Sequence, residues 1–322
     1  MIAGMTQPSP DTTAEPLQYA AFTADPAGGN PAGVVLDAAA LDDPAQLALA
    51  ARLGHSETAF LTADPGPEGD GEGAPGPEGD GGGAPGRERR YAVRYFSPLA
   101  EVPFCGHATI AAAVALGERH GPGEYHFTTK AGPVPVTVAA DPGGGYRATL
   151  TSVPASTADA APEDVAAALD ALRWRAAELD PRIPPRIAYA GARHLVLAAA
   201  TRERLADLDY DFDALAALMR RLDLTTVQLV WERDATTYHV RDPFPVGGVV
   251  EDPATGAAAA ALGGYLRELR GLGTTRLTLH QGEYLGRPGL LTVDLAAGDA
   301  RVRVTGRAVR MPLASPRAHP YA

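Results

Sequence analysis

The chain of 322 residues has a single cysteine, Cys105, so it can form no intrachain disulfide, and a reducing, cytoplasmic setting is expected. No apolar run approaches the roughly 18 residues that a membrane-spanning helix requires, so no membrane partner is expected. Met1 to Pro16 lacks a charged stretch followed by an apolar one and reads as a disordered tail rather than a signal peptide. Basic clusters are missing too. The net charge is −11, which argues against a nucleic-acid partner. No Gly-x-Gly-x-x-Gly follows a strand pattern, so a dinucleotide-binding domain is not supported. His55, His107, His120 and His126 are scattered without metal-ligand spacing, and no metal is assigned.

What is present in excess is acidic, Gly- and Pro-rich sequence from Asp64 to Gly86, a tandem repeat whose Asp64, Glu68, Asp70, Glu72, Glu78 and Asp80 account for six of the negative charges. Its largest apolar side chains are Ala and Pro, so burial cannot order it. It falls between two strand patterns and reads as an expanded, disordered hairpin loop, tolerated because closure entropy grows slowly with loop length.

The rest of the chain says one thing twice. Tyr91-Ala92-Val93-Arg94-Tyr95-Phe96-Ser97-Pro98, Glu101-Val102-Pro103-Phe104-Cys105-Gly106 and an Ala-rich run to Leu116 form the first copy. Tyr238-His239-Val240-Arg241-Asp242-Pro243-Phe244-Pro245, Glu251-Asp252-Pro253-Ala254-Thr255-Gly256 and an Ala-rich run to Leu266 form the second. Upstream of each lie a strand, an amphipathic helix and a further strand in the same order. An Ala-rich helix with few charged faces is built to be surrounded. The duplication therefore predicts an α+β protein of two pseudo-symmetric domains, each a curled, mainly antiparallel sheet around a central helix. The length suits two cores. The expected division is 17–149 and 150–305, with a strand in 306–318 returning to the first domain. Helices are expected at Pro44–Leu53, His107–His120, Pro162–Leu179, Arg202–Leu222 and Ala254–Leu269.

The two central helices start at Cys105-Gly106-His107 and Thr255-Gly256-Ala257. A helix N-terminus offers free N–H groups and partial positive charge, and glycine there lets a ligand approach the backbone. Two such tips facing one cleft would hold a carboxylate. Differences between the copies then mark the chemistry: Glu57 stands opposite Thr226, His107 opposite Ala257, and Asp252 opposite Val102. Glu57 begins an apolar strand, where partial burial would raise its pKa and suit proton transfer. Its bland alternative is a surface acid at a strand end. His107 could face solvent, and Asp252 could simply complement a helix dipole. Cys105 sits where a thiolate is plausible, but its counterpart Thr255 cannot act as a second thiol base, and a buried, inert cysteine is the expected state.

At these positions the chain resembles the PhzF family, named for the phenazine-biosynthesis isomerase. The matching runs are Gly29-Asn30-Pro31-Ala32, Ser56-Glu57-Thr58-Ala59-Phe60, Arg94-Tyr95-Phe96-Ser97-Pro98, Pro103-Phe104-Cys105-Gly106-His107-Ala108-Thr109, Glu251-Asp252-Pro253-Ala254-Thr255-Gly256, Gln281-Gly282 and Gly286-Arg287-Pro288. The resemblance implies a diaminopimelate-epimerase-like fold, a homodimer, and proton-shift isomerisation of a small carboxylated substrate such as trans-2,3-dihydro-3-hydroxyanthranilate, without a metal or organic cofactor. It implies Glu57 as the acid/base with His107 and Asp252 as helpers. It also implies a substrate lined by Asn30, Ser56, Cys105, Gly106, Thr255, Gly256 and Ala257. Ala257 departs from the family's frequent Ser, and Pro243 from a common aromatic. Two other readings are an epimerase or dehydratase using Cys105 with Thr255, and a silent ligand-binding protein.

Overall fold

A computed structural model describes residues 16–64 and 89–312. The expected tail up to residue 15, the acidic repeat from residue 65 and the last residues of the expected returning strand (313–318) lie outside the described residues.

The first half supplies β1 (Leu17–Ala21), β2 (Asn30–Val35), α1 (Asp43–Leu53), β3 (Glu57–Ala63), β4 (Arg89–Phe96), β5 (Glu101–Val102), α2 (Gly106–His120), β6 (Gly123–Thr129), β7 (Gly132–Ala140) and β8 (Tyr146–Thr151). The second supplies β9 (Ser156–Asp159), α3 (Pro162–Ala171), β10 (Arg186–Tyr189), β11 (Arg193–Ala198), α4 (Arg202–Ala206), α5 (Phe212–Leu222), β12 (Thr226–Asp234), β13 (Thr237–Pro243), β14 (Glu251–Asp252), α6 (Gly256–Arg270), β15 (Thr275–Gln281), β16 (Gly289–Leu295) and β17 (Val302–Arg310).

The pairings repeat. In the first half β2 runs parallel to β3 and β4 parallel to β6, and every other neighbour is antiparallel. In the second half the parallel pairs are β11 with β12 and β13 with β15, and the rest are again antiparallel. β17 is shared. It pairs with β16 of the second half, and with β8 and β1 of the first, closing the first sheet into a ring around α2. Phe22 pins the same junction. Its N–H donates to the Arg307 carbonyl, and its own carbonyl accepts from Leu290 N–H.

Both central helices are 15 residues long and enclosed: His107 through Gly117 of α2 and Ala258 through Leu266 of α6 are buried without interruption. Small side chains are what allow a curled sheet to wind so closely around a helix. At Gly264 a Cβ would sit 2.4 Å from the Cβ of Ala155, an atom with no rotamer to escape into. Gly264→Ala is therefore expected to lower stability by about 1–3 kcal/mol despite alanine's better helix propensity; urea denaturation reads the shift.

Three expected elements differ. The helix expected over Pro162–Leu179 ends at Ala171, because Arg173 turns to φ 56° and the chain continues into a single 3-10 turn at Ala176–Glu178. The helix expected over Arg202–Leu222 is two helices. Thr201 caps the first and Asp211 the second, its side chain accepting from Ala214 N–H at 2.9 Å. An Asp that caps a new helix competes with continuation of the old one. The returning strand expected in 306–318 already begins at Val302.

Candidate active site

Glu57 is the first residue of β3, and its side chain is 15% exposed. The strand's parallel register with β2 sets it beside Ala32, while the preceding turn closes α1 with Gly54 in the left-handed region. Its Oε2 lies 3.4 Å from both the Nε2 of His107 and the Sγ of Cys105. His107, buried in the first turn of α2, also approaches Ser56 Oγ at 3.3 Å and Cys105 Sγ at 3.4 Å. The solvent-facing readings of Glu57 and His107 are thereby set aside.

From the other half comes Asp252, on the two-residue strand β14. Asn30 reaches across from β2: its Nδ2 donates to Asp252 Oδ1 at 2.8 Å and to the Ala254 carbonyl at 3.0 Å. Thr255, the residue before α6, does not cap that helix. Its hydroxyl donates to Asp252 Oδ2 at 2.5 Å. Gln281 completes the bracket by accepting from Thr255 N–H at 3.0 Å and donating to the Asp252 carbonyl at 2.9 Å. Asp252 is thus a held, buried carboxyl rather than a loose dipole complement. Burial, opposed by His107 and the Thr255 hydrogen bond, raises its pKa to about 6, close to neutral and suited to proton exchange.

The tips of α2 and α6 meet. A Cβ on Gly106 would lie 3.7 Å from the Cα of Gly256 and 3.8 Å from the N of Ala257. Thr255 makes no side-chain cap on α6, and on α2 the Cys105 sulfur engages the Ala108 N–H, so the other first-turn N–H groups are left without a side-chain cap. Against the tips lies a cavity of about 190 Å³ whose lining includes Phe104, Gly106, Val134, Tyr189, Gly256 and Ala257 but not Glu57, Cys105, His107 or Asp252. A larger groove of about 790 Å³ follows outer strand faces and includes Arg147, Arg303 and Arg307, but none of the residues that carry chemistry at the tips.

Cys105 is 8% exposed. Burial first, then the Glu57 charge, push its thiol well above the usual range, which overrides the lowering a helix N-terminus would bring. Sequence spacing showed no metal-binding pattern, yet folding brings ligand atoms of Glu57, Cys105 and His107 within 4.8 Å of one another. The grouping escapes a sequence scan because one member comes from a different strand 48 positions upstream.

Sequence reading also missed Asp242. It pairs with Asp252 across β13 and β14, as Tyr95 pairs with Val102 in the first half. Thr226 donates to Asp242 Oδ1 at 2.9 Å and meets His194 Nδ1 at 2.8 Å. The copies differ here, a carboxyl standing where the first half has a tyrosine, and that difference was the available signal. Burial drives the Asp242 pKa well above the ordinary carboxyl value. A raised native pKa means stability is fully present below the unfolded value of about 4 and is lost as pH rises toward the native one. Asp242→Asn removes that loss. Its stability advantage over the wild type should grow with pH above about 4, by at most about 1.4 kcal/mol per unit, as thermal melts between pH 5 and pH 8 will show. A stability difference between variant and wild type that does not change from pH 5 to pH 8 would contradict a protonated Asp242.

Residues 19–312 match the family model PhzC-PhzF, phenazine biosynthesis-like protein. The chain belongs to the PhzF family. An uncharacterized isomerase of Deinococcus radiodurans is 32% identical over 293 residues, 88% of each chain. A Bacillus anthracis phenazine biosynthesis protein of the PhzF family superposes with a TM-score of 0.75 at 22% identity, covering 92% of this chain and 98% of that one. A probable proline racemase from Agrobacterium radiobacter, at 14% identity and a TM-score of 0.59, covers 95% of this chain and 93% of its own. At such identities the two structures speak for the fold, which is the expected two-domain α+β architecture. Among the described residues of this PhzF-family chain no helix is long and apolar enough to cross a membrane.

Proposed function

We propose that this chain is a cofactor-independent isomerase that moves a proton within a small carboxylated, cyclic or amino-acid-like metabolite. The observation that carries the reading is the approach of Glu57 to His107 at 3.4 Å near two abutting helix tips, with the buried Asp252 carboxyl close enough to feel both charges and a cavity lined by the tip residues Gly106, Gly256 and Ala257. In this reading the first-turn N–H groups around Gly106, Gly256 and Ala257 bind the substrate carboxylate and stabilise charge that develops on the conjugated system. Glu57 takes a proton from an allylic or α carbon and returns it elsewhere on the same molecule. His107 orients the glutamate. Asp252, near its own midpoint at neutral pH, buffers the proton inventory of the pair. Ser56 and Asn30 hold the frame, and a homodimer in the cytoplasm completes the proposal.

Several features favour this reading over a Cys105–Thr255 epimerase. The thiol is held protonated, and the Thr255 hydroxyl already gives its proton to Asp252. Ala257, with a methyl group and no hydroxyl donor, tells instead against trans-2,3-dihydro-3-hydroxyanthranilate itself as the substrate. The test is solvent-isotope incorporation. In deuterated water the wild type should place deuterium in trans-2,3-dihydro-3-hydroxyanthranilate or in one of a panel of cyclic and amino-acid-like carboxylates. Binding of such a ligand with no incorporation would leave a silent binding protein instead.

A further inference from the structure

The cavity of about 190 Å³ at the helix tips has walls from both halves of the chain. Phe104, Val134 and Leu150 come from the first half, and Ala260 of α6 and Tyr189 at the end of β10 from the second. Among the described residues that line it there is no Asp, Glu, Lys, Arg or His. Leu150, Ala190, Ala260 and Val304 are buried and make an apolar floor, whereas Val153 and Tyr189 are 48% and 38% exposed and make the rim. Thr151, Ser152 and Tyr189 supply the side-chain hydroxyls. That of Ser152 is already engaged: it donates to the Val153 carbonyl at 2.6 Å and accepts from Val302 N–H at 2.9 Å. A charged group seated against these walls would shed water and meet no opposite charge, which costs far more than burying hydrocarbon. A closed apolar cavity of about 150 Å³ takes a benzene-sized guest. The space here therefore suits one ring of about six carbons and is too small for two fused rings.

We infer that this cavity sets specificity by taking the body of the substrate: a monocarboxylate whose remainder is a single uncharged, mostly apolar ring or a branched chain of similar size. The place of the carboxylate rests on the function proposed above, because the tip residues Gly106, Gly256 and Ala257 form one end of the lining. The choice of an apolar body with no second charge rests on the walls alone. Glu57, His107 and Asp252 lie outside the lining, so they give a group seated there no counter-charge. A second carboxylate or a side-chain ammonium is rejected because its desolvation is not repaid. Tyr189 is the specificity residue most open to test. It stands on the rim, where its ring can cover one side of a seated guest, and its exposure makes its removal tolerable to the fold.

The test is a binding series on the full wild-type chain, read by calorimetry with acetate, cyclopropanecarboxylate, cyclopentanecarboxylate and cyclohexanecarboxylate. Affinity should rise by about fourfold for each further buried carbon and drop again for naphthoate. Cyclohexanedicarboxylate should bind at least about 100-fold more weakly than cyclohexanecarboxylate. Tyr189→Ala should weaken cyclohexanecarboxylate by about tenfold and leave acetate unchanged. Arg303→Ala, in the outer groove, should change neither. Four results would each overturn the inference: no ring acid bound at millimolar concentration, affinity that does not grow with the ring, a dicarboxylate bound as tightly as the monocarboxylate, or no effect of Tyr189→Ala. The first three need no variant, so a misfolded mutant does not shield the proposal. The same series in deuterated water, followed by NMR, separates this inference from the isomerase reading. Ring-dependent binding with no deuterium entering any ligand keeps the cavity's role and removes the isomerase. Deuterium entering ligands regardless of ring size or second charge keeps the isomerase and removes the cavity's role.

Discussion

Glu57→Gln should cut turnover by about 10³-fold, within the range of about 10²–10⁴ that a positioned acid/base contributes, while leaving the melting temperature close to that of the wild type. The amide matches the carboxylate in size. It keeps the contacts to Cys105 and His107 but has no proton to exchange near neutral pH. The wild-type side chain is only partly exposed, at 15%, and its strand is fixed by the pairing with β2 and β4, so the loss is not expected to come from unfolding. Glu57→Asp should fall between the two. It keeps the chemistry and withdraws it by about one carbon–carbon bond, enough to degrade a near-attack geometry. Binding of a carboxylate ligand, measured by calorimetry, should survive in both variants, because the proposed anion site at the helix tips is left untouched. If Glu57→Gln turns over within a few-fold of wild type, Glu57 is not the base.

Glu251→Ala should cost about 3–5 kcal/mol of stability, the expected result of leaving a buried guanidinium unpaired. Arg241 and Glu251 form a bidentate pair, with Nη2–Oε2 at 2.6 Å and Nε contacts at 3.1 Å, and the Glu251 side chain is 0% exposed. Arg241 Nη1 also donates to the Ala206 carbonyl at 2.7 Å. The first half repeats the pair as Arg94 with Glu101, Nη2–Oε2 at 2.7 Å, but there the arginine side chain is 32% exposed. Glu101→Ala should therefore cost only about 1 kcal/mol or less, although Arg94 holds the Glu101 carboxyl below its ordinary pKa. The contrast between two topologically equivalent pairs, read by urea denaturation, separates burial from mere ion pairing. Glu251 neighbours Asp252 on β14, so its loss should also loosen the Asp252 carboxyl. Equal costs at the two sites would contradict the assignment.

Both predictions rest on features the sequence exposed unevenly. The doubled run from Tyr91 to Leu116 and from Tyr238 to Leu266 was sufficient to read the two-lobed fold, because a strand, a two-residue strand and a small-residue helix recur in one order. Comparing the copies also singled out Glu57, His107 and Asp252 as candidates, since each stands where its counterpart is apolar or lacks an ionisable group. The Arg94–Glu101 and Arg241–Glu251 pairs were in the quoted runs but did not announce themselves, because their partners lie 7 and 10 positions apart across turns. Asp242 was passed over because a strand reading treats an isolated acid as a turn residue, and only the register shows that it is fully enclosed. Asp211 was read as part of a helix, because apolar periodicity carries across a capping residue that the backbone obeys. The Glu57–Cys105–His107 grouping required three-dimensional closure that spacing cannot encode.

The central claim is that the tips of α2 and α6 hold the substrate carboxylate beside Glu57. A crystal structure of the chain with a small cyclic carboxylate tests it most directly. The account predicts carboxylate oxygens about 3 Å from backbone nitrogens at Gly106 and Gly256, with a ring or α carbon about 3–3.5 Å from Glu57 Oε2. A carboxylate bound instead among Arg147, Arg303 and Arg307 of the outer groove, with the tips empty, would contradict it.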